Sequence, residues 1–330
     1  MTMHIGTYDK AGGRGLVPMV LSDQGVLTPG EPYAGTRNAS FGARHGDLAY
    51  LVDEQDTGAI GVHRWTGAQW QPVARRRSEG ALPCFVALDP EGRRLAAANY
   101  GSGSVALWAL DDFGIPDGGP AVFQHQGHGP DAGRQEGPHM HCVRFADGRL
   151  LMVDLGTDSV LQTRIVDDGF GAVEMAWAAP AGSGPRHVVP FGSGRAVVIC
   201  ELAATLTLLA QSGENFVERC TVPTAPADFT GENAGGHLAV NAAGTRAYAS
   251  NRGHDSIAVF AIHRDWLELL QHVPSGGADP RHFALLEARG RLVVAHEGNG
   301  RVTAFAVAAD GTISAAGAGV TVPGACFVLA

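Results

Sequence analysis

The chain has 330 residues, of which 45% are hydrophobic, 17% are charged and 46 are glycines, and its formal net charge is −9. This composition supports a large apolar core with many turns and argues against a disordered chain. No basic run is longer than residues 75–77, so the sequence predicts neither a nucleic-acid partner nor an anionic membrane partner.

Cysteine and lysine usage narrows the class of protein further. The five cysteines have an odd count and no CxxC spacing, which indicates reduced thiols and a cytoplasmic location. The N-terminal residues lack the basic and apolar regions of a signal peptide, and no apolar run is long enough for a membrane span. Lys10 is the only lysine beside 23 arginines, so neither Schiff-base chemistry nor a P-loop is expected.

A pattern of about 45 to 55 residues recurs along the chain. Each copy has a short apolar strand, a turn rich in Asp, Asn and Gly, a second apolar strand, a tight polar turn and a third alternating strand. One position of the first strand can be followed through the copies as Phe41, Phe85, His141, His187, His237, His282 and Phe327. Its members lie 44, 56, 46, 50, 45 and 45 residues apart. Antiparallel repeats of this length are typical of β-propeller blades.

The last copy stops after one strand, and the first residues of the chain supply what it lacks. MHIGTYDKAGGRGLVPMVLS contains an apolar strand, a glycine-rich turn and a second apolar strand. Six complete copies and one divided copy make seven. The sequence therefore predicts an all-β, seven-bladed β-propeller that forms a single domain over residues 1–330, with one blade closed by strands from both termini.

Two positions of the repeat carry chemically active side chains. Four of the first strands each have a histidine near their start: His141, His187, His237 and His282. Arg186 directly precedes His187, and Arg281 directly precedes His282. A second set follows the second strand: Glu54, Tyr100, Leu155, Glu201, Arg252 and Glu297. Because the second strand returns antiparallel to the first, both sets are expected on one face. Charged residues that differ from copy to copy indicate a functional site on that face.

Several motifs occur in one order along the chain: PHMHCVRF, VDLGTDSV, GPRH, DFTGENAGG, SNRGHDSIAVF and PRHF. Together they resemble the seven-bladed β-propeller lactonase family, which includes 6-phosphogluconolactonases and fungal carboxy-cis,cis-muconate cyclases. The resemblance extends from HIGTY to the final CFVLA. It implies an active site of one histidine, two arginines and one glutamate, which match His141, Arg186, Arg252 and Glu201.

The resemblance implies lactone hydrolysis, and the residue types suit it. Glu201 is expected to take a proton from water, with His141 as the alternative base or as the acid that protonates the leaving alkoxide. One arginine, Arg186 or Arg252, is expected to stabilise the oxyanion, and the other to bind an anionic group of the substrate. Further residues of the same face are expected to bind substrate: His139, His187, His237, Arg281, His282 and Glu297.

The expected substrate is a small anionic sugar lactone, 6-phosphoglucono-1,5-lactone, which would be hydrolysed to 6-phosphogluconate of the pentose phosphate pathway. Two alternatives stay open at this point: a lactonase or cycloisomerase for another carboxylated lactone, and a non-catalytic propeller that binds a partner. No cofactor and no functional metal are expected, although several histidines at one opening are also able to hold zinc. A monomer or a weak homodimer is expected.

Overall fold

The computed structural model describes residues 2–192 and 194–330. These residues form 28 β-strands and two three-residue 3₁₀ turns, Asp9–Ala11 and Glu287–Arg289. Within this described part of the chain, no helix is long and apolar enough to cross a membrane.

The strands are short and follow one another with few long connections. The first seven are β1 (Thr2–Thr7), β2 (Leu16–Leu21), β3 (Leu27–Pro29), β4 (Gly42–His45), β5 (Leu48–Asp53), β6 (Ala59–Trp65) and β7 (Trp70–Arg77). The next eight are β8 (Pro83–Leu88), β9 (Arg94–Asn99), β10 (Ser104–Ala109), β11 (Ala121–Gln124), β12 (Met140–Ala146), β13 (Arg149–Asp154), β14 (Ser159–Val166) and β15 (Gly169–Ala178). Eight more are β16 (Pro185–Phe191), β17 (Arg195–Cys200), β18 (Thr205–Ser212), β19 (Asn215–Pro223), β20 (Ala234–Val240), β21 (Arg246–Arg252), β22 (Ser256–Ile262) and β23 (Leu267–Pro274). The last five are β24 (Pro280–Leu286), β25 (Arg291–His296), β26 (Arg301–Val307), β27 (Ile313–Thr321) and β28 (Ala325–Leu329).

In the described residues these strands make seven four-stranded sheets, as the repeat predicts. We number them in chain order: sheet I (β28-β1-β2-β3), sheet II (β4 to β7), sheet III (β8 to β11), sheet IV (β12 to β15), sheet V (β16 to β19), sheet VI (β20 to β23) and sheet VII (β24 to β27). In sheets II to VII the strand order follows the chain order. Each repeat therefore folds as one local antiparallel unit, which accounts for its strand and turn pattern.

The chain divides into two compact units. The first comprises the described residues of 1–37, 191–210 and 218–330, and it contains sheets I, VI and VII. The second comprises residues 38–190 and 211–217, and it contains sheets II, III and IV. The strands of sheet V are divided between the two units. The prediction of one domain over residues 1–330 stays a prediction.

In the first unit, strands from the two ends of the chain complete sheet I. Strand β28 pairs antiparallel with β1, so that Ile5 lies opposite Val328 and Gly6 lies opposite Phe327. Strand β2 pairs with the other edge of β1. The predicted closure by both termini is therefore confirmed, and both backbone edges of β1 have partners.

The apolar core of the first unit lies between neighbouring sheets. Tyr248 of sheet VI packs in one cluster with Phe283 and Phe305 of sheet VII. The opposite face of sheet VII packs Val293 in a second cluster that includes Ile5 of sheet I. A sheet that is buried on both faces needs apolar side chains at successive strand positions, and this explains the near-continuous apolar runs in the first and second strands.

The first strands of sheets III, IV and VII contain a bulge that the sequence repeat does not reveal, and the pairing also shifts by one residue in the first strands of sheets I and VI. In sheet III the pairing goes from Pro83–Asn99 to Phe85–Ala98, in sheet IV from Met140–Asp154 to Cys142–Val153, and in sheet VII from Pro280–His296 to His282–Ala295. In each of these three sheets, one residue of the first strand therefore has no residue of the second strand paired directly with it. These residues are Cys84, His141 and Arg281, and we call their place in the sheet the bulge position.

This bulge corrects one alignment of the sequence analysis. His141 does not share the place of Phe85 and His282, because it lies one residue earlier, at the bulge position with Arg281. The error arises because strand β12 begins with Met140 where the other two first strands begin with a proline. Cys142 is the residue of sheet IV that corresponds to Phe85 and His282.

A tyrosine hydroxyl contributes to the packing between sheets VI and VII. Tyr248 is 1% exposed, and its Oη donates to the Gly311 carbonyl at 2.8 Å, while burial raises its pKa to about 12. We expect Tyr248→Phe to lower the free energy of unfolding by about 1 kcal/mol and Tyr248→Ala by about 3 to 5 kcal/mol, measured by urea denaturation. Tyr50→Phe is the matched test in the second unit, because Tyr50 Oη donates to the Gly114 carbonyl at 2.7 Å. Full stability of both phenylalanine variants would contradict this account.

Candidate active site

The residue at the end of each second strand lies beside the start of the first strand of the same sheet. In sheets I, III, IV and VII its backbone N–H donates to the residue before that first strand, at 2.8 to 3.0 Å. We call this place the turn position, and its members are Tyr8, Glu54, Tyr100, Leu155, Glu201, Arg252 and Glu297. The sequence repeat identifies six of these residues but not Tyr8, which follows HIGT at residues 4–7.

In the first unit, Glu201 and Arg252 form a buried ion pair. The Glu201 residue is 4% exposed, and its Oε2 lies 2.7 Å from Arg252 Nη2. Gly235 fixes both partners, since its N–H donates to the Glu201 carbonyl at 3.0 Å and its own carbonyl accepts from Arg252 Nη2 at 3.1 Å. Arg252 Nε is buried and has no hydrogen-bond partner among the described residues. A buried N–H without a partner is costly, so this donor is suited to a ligand.

A second charged group of the first unit surrounds Glu297. Arg281 Nη1 lies 3.0 Å from Glu297 Oε2, and Lys10 Nζ lies 3.2 Å from Glu297 Oε1. Both cations also lie over the Tyr8 ring, at 4.9 Å for Lys10 and 5.3 Å for Arg281. Burial alone would raise the pKa of Glu297, but Arg281, Lys10 and Arg252 together hold it below its ordinary value. Arg281 and Glu297 were predicted from the sequence, whereas Lys10 was not.

Asp279 is another carboxylate of this unit that the sequence analysis misses. Burial and the neighbouring Asp255 raise the pKa of Asp279, and Arg252 opposes them only in part. The Asp279 N–H donates to Asp255 Oδ1 at 2.8 Å, and its carbonyl accepts from Glu297 N at 2.9 Å. The signal in the sequence is its place directly before Pro280, where the first strand begins.

Two predicted substrate-binding histidines of the first unit lie among aromatic rings. The His237 and His282 rings are 4.0 Å apart, and His282 also contacts Phe327 edge-on at 4.7 Å. His282 Nδ1 accepts from the Val328 N–H at 3.3 Å, so this nitrogen carries no proton. Both residues are nearly buried, and their contact with substrate stays a prediction.

In the second unit, His139 lies against Tyr100 at the edge of sheets III and IV. The two rings are stacked at 4.4 Å. His139 Nδ1 lies 3.0 Å from the Tyr100 carbonyl, and Nε2 lies 3.2 Å from Glu136 Oε1. Both partners of the ring nitrogens are therefore acceptors. Asp154 fixes the backbone of His139, since Asp154 Oδ1 accepts from the His139 N–H at 2.7 Å.

His141, the predicted catalytic histidine, lies in the same unit close to a thiol. Its Nδ1 is 3.8 Å from Cys84 Sγ, and its ring meets Tyr100 edge-on at 5.6 Å. Arg186 Nη1 lies 3.1 Å from His187 Nε2. Because a guanidinium only donates, His187 Nε2 accepts and the His187 ring is neutral. The second unit thus brings His139 and His141 together around Tyr100 and brings Arg186 to His187.

The histidines of the first strands are potential ligands of a metal ion. Among residues 2–192 and 194–330, no group of three or more His, Cys, Asp and Glu side chains is arranged to hold a metal ion. Among the charged side chains of the turn and bulge positions, Arg252 pairs with Glu201 and Arg281 pairs with Glu297.

Comparison with known proteins identifies relatives over almost the whole length. Residues 2–330 match the family described as "Lactonase, 7-bladed beta-propeller". A Bacillus subtilis (strain 168) protein named 6-phosphogluconolactonase is 29% identical over 316 residues, which are 92% of this chain and 90% of that protein. An uncharacterized Lactococcus lactis subsp. cremoris (strain MG1363) protein is 28% identical over 313 residues, which are 91% of this chain and 90% of that protein.

Solved structures agree with the sheet arrangement. A Lactobacillus plantarum protein superposes with a TM-score of 0.92 at 29% identity and covers 100% of this chain and 99% of its own. The Pseudomonas aeruginosa periplasmic gluconolactonase PpgL superposes with a TM-score of 0.89 at 23% identity, covering 100% of this chain and 99% of its own, which supports the fold alone. With the seven four-stranded sheets, these findings confirm the predicted all-β, seven-bladed propeller.

The ion pairs of Glu297 generate a prediction about pH. Its folded pKa lies below the ordinary 4.5, so its carboxylate stabilises the fold above pH 4.5, and this contribution is lost as the pH falls through the folded value. We expect Glu297→Gln to lower the free energy of unfolding at pH 7, and the difference from the wild type to disappear at pH values below the folded pKa. Urea denaturation at several pH values measures this. Glu268→Gln removes one exposed carboxylate of β23 as a control, and a constant deficit for Glu297→Gln at every pH would contradict the account.

Proposed function

Because the chain belongs to the seven-bladed β-propeller lactonase family, we propose that it hydrolyses a sugar lactone, with 6-phosphoglucono-1,5-lactone as the substrate. The name of the Bacillus subtilis relative supports this choice, as do the cationic side chains Arg252, Arg281 and Lys10 on one unit. An anionic sugar needs such local cations in a protein whose net charge is −9.

The proposal rests on one observation, the buried ion pair of Glu201 and Arg252. In this pair, Arg252 Nε has no hydrogen-bond partner among the described residues. A carboxylate in this pair is a base that can take a proton from water. The Nε–H beside it is a fixed donor for the negative charge that develops on the lactone carbonyl oxygen. Base and oxyanion donor are the two groups that lactone hydrolysis requires.

The proposed reaction assigns one role to each of the four catalytic residues. Glu201 takes a proton from water while the water oxygen bonds to the carbonyl carbon, and Arg252 stabilises the oxyanion. The ring C–O bond then breaks, and the leaving alkoxide takes a proton from His141. Arg186 binds the substrate through its guanidinium N–H donors. Glu201 then releases its proton to solvent and His141 takes one from solvent, so that both side chains are regenerated and the product is the open hydroxy acid.

The remaining substrate contacts and the cellular setting belong to the same proposal. His139, His187, His237, Arg281, His282 and Glu297 stay proposed substrate-binding residues. The five cysteines form no disulfide, which supports a cytoplasmic enzyme of the pentose phosphate pathway. A monomer or a weak homodimer is proposed as the working form.

We expect Glu201→Gln to lower kcat for lactone opening about 10²- to 10⁴-fold, because glutamine cannot take the proton from water. Arg252→Ala is expected to cost about 10²- to 10³-fold, and Arg252→Lys is not expected to restore activity, since lysine has no donor in the place of Nε. The measurement follows opening of 6-phosphoglucono-1,5-lactone and glucono-1,5-lactone, with spontaneous hydrolysis subtracted.

Glu268→Gln is the matched control, because Glu268 also pairs with a basic side chain, His263, at 2.9 Å but lies on an exposed strand. Its activity should equal that of the wild type. Full activity of Glu201→Gln and Arg252→Ala would refute the site. Failure of the wild type to open either lactone would refute the function.

A further inference from the structure

We propose that Lys10 and Arg281 form the subsite that binds the phosphate group of the sugar lactone, with Lys10 as the residue that distinguishes phosphorylated from unphosphorylated substrate. This inference rests on the proposed function and adds to it a residue that no sequence motif identifies. It follows from the way in which four side chains of the first unit are held together.

The backbone around Lys10 is firmly fixed. Lys10 lies in the 3₁₀ turn Asp9–Ala11, which directly follows Tyr8, the turn-position residue of sheet I. The Tyr8 N–H donates to the Gly324 carbonyl at 2.8 Å. A Cβ at residue 324 would lie 2.4 Å from the Tyr8 carbonyl oxygen, so only glycine permits this approach. These contacts fix the backbone from which the Lys10 side chain extends, beside the Tyr8 ring.

Two cations converge on one aromatic ring and one carboxylate. Lys10 and Arg281 both lie within 5.3 Å of the centre of the Tyr8 ring, and each contacts a different oxygen of Glu297. Tyr8 is 5% exposed, so its ring is a rigid platform for both cations. The pair carries one more positive charge than Glu297 neutralises. An anion that meets this group therefore finds two cationic N–H donors whose combined charge exceeds that of Glu297.

The contact of Lys10 with Glu297 is weak enough to be replaced by a ligand. The Lys10 side chain is 71% exposed, and an ion pair at such an exposed site contributes little to stability. An ammonium group has three N–H donors, so it can contact Glu297 and a ligand together. The Arg281 side chain is only 16% exposed and keeps its place beside Glu297. Lys10 is thus the adjustable member of the pair and Arg281 the fixed one.

A ligand anion competes with the Glu297 carboxylate for Lys10 and Arg281, and this competition determines which chemical class of ligand binds. A ligand carboxylate has the same charge as the Glu297 carboxylate and gains little by replacing it. A phosphate monoester carries about −1.5 to −2 charges at pH 7 and has three acceptor oxygens, so it can contact both cations and offset the repulsion of Glu297. The geometry therefore favours a phosphorylated lactone over a carboxylated one.

The subsite also lies within electrostatic reach of the proposed catalytic pair. Arg252, which holds Glu201, is one of the cations that act on Glu297. A substrate whose phosphate contacts Lys10 and Arg281 is thereby brought near the guanidinium that is proposed to stabilise its oxyanion. Binding energy at the phosphate can then serve to orient the lactone carbonyl.

The test compares Lys10→Met, Lys10→Arg and the wild type on 6-phosphoglucono-1,5-lactone and glucono-1,5-lactone. Lys10→Met is expected to lower the ratio of kcat/KM for the phosphorylated to the unphosphorylated lactone about 10- to 100-fold, chiefly through KM. Lys10→Arg, which retains the charge, should keep this ratio within a few-fold of the wild type. Arg264→Met removes a cation whose side chain is 95% exposed, and it should leave the ratio unchanged. An unchanged ratio in an active Lys10→Met variant overturns the proposal.

A second measurement does not depend on turnover. Because Lys10 is the only lysine, reductive methylation of the wild type modifies one lysine side chain, which mass spectrometry of its peptide quantifies. We expect 6-phosphogluconate to slow this modification at concentrations at which gluconate has no effect. Equal effects of the two acids, or no effect of either, overturn the subsite. Protection by 6-phosphogluconate in a protein that opens neither lactone would refute the proposed hydrolysis and leave the subsite intact.

Discussion

The antiparallel pairing of the first and second strands is the constraint that brings the charged residues of the turn and bulge positions together. The second strand of a sheet ends where the first strand begins, so two positions that are distant in sequence become neighbours. Arg281 and Glu297 are 16 residues apart and meet at 3.0 Å for this reason. Both positions lie at strand ends, outside the apolar faces that pack between sheets. Their side chains can therefore differ from sheet to sheet without disturbing the core.

The bulge adds a second consequence to this arrangement. An extra residue in the first strand interrupts the regular alternation of side chains between the two faces of the sheet. In sheet VII this residue is Arg281, which contacts Glu297, and in sheet IV it is His141, which meets Cys84 and Tyr100. The residues directly after the bulge, such as His282, pack among aromatic rings instead. Neighbouring residues of one strand thus make an ion pair and an aromatic contact separately.

The parts of this structure that depend on periodicity and spacing could be predicted from the sequence. Strand alternation and repeat length gave the seven sheets, and the incomplete last copy gave the closure by both termini. The bulge could not be predicted, because one extra residue changes the pairing but not the apolar pattern, and His141 was therefore aligned one residue away from its place. Tyr8 was missed because its sheet is divided between the two ends of the chain. Lys10 lies beyond the repeat, and only the fold brings it to Glu297.

Hydrogen bonding gives identical residue types different chemical states, which a sequence does not show. His187 and His282 each use a ring nitrogen as an acceptor, whereas both nitrogens of His139 face acceptors. A ring nitrogen thus accepts a hydrogen bond in the packed histidines, whereas both ring nitrogens of His139 face acceptors at the sheet edge. Equal letters in a repeat therefore do not indicate equal roles.

The pairing of β28 with β1 has a consequence for the order of events during synthesis. Strand β1 is synthesised long before its partner strand, residues 325–329. Until then the edge of β1 that pairs with this strand is open to pairing with other chains. Gly324, which holds the Tyr8 backbone, belongs to the same late segment. The surroundings of Lys10 are therefore completed only once β28 has been synthesised, and a nascent chain without β28 has neither a complete sheet I nor the complete proposed phosphate subsite.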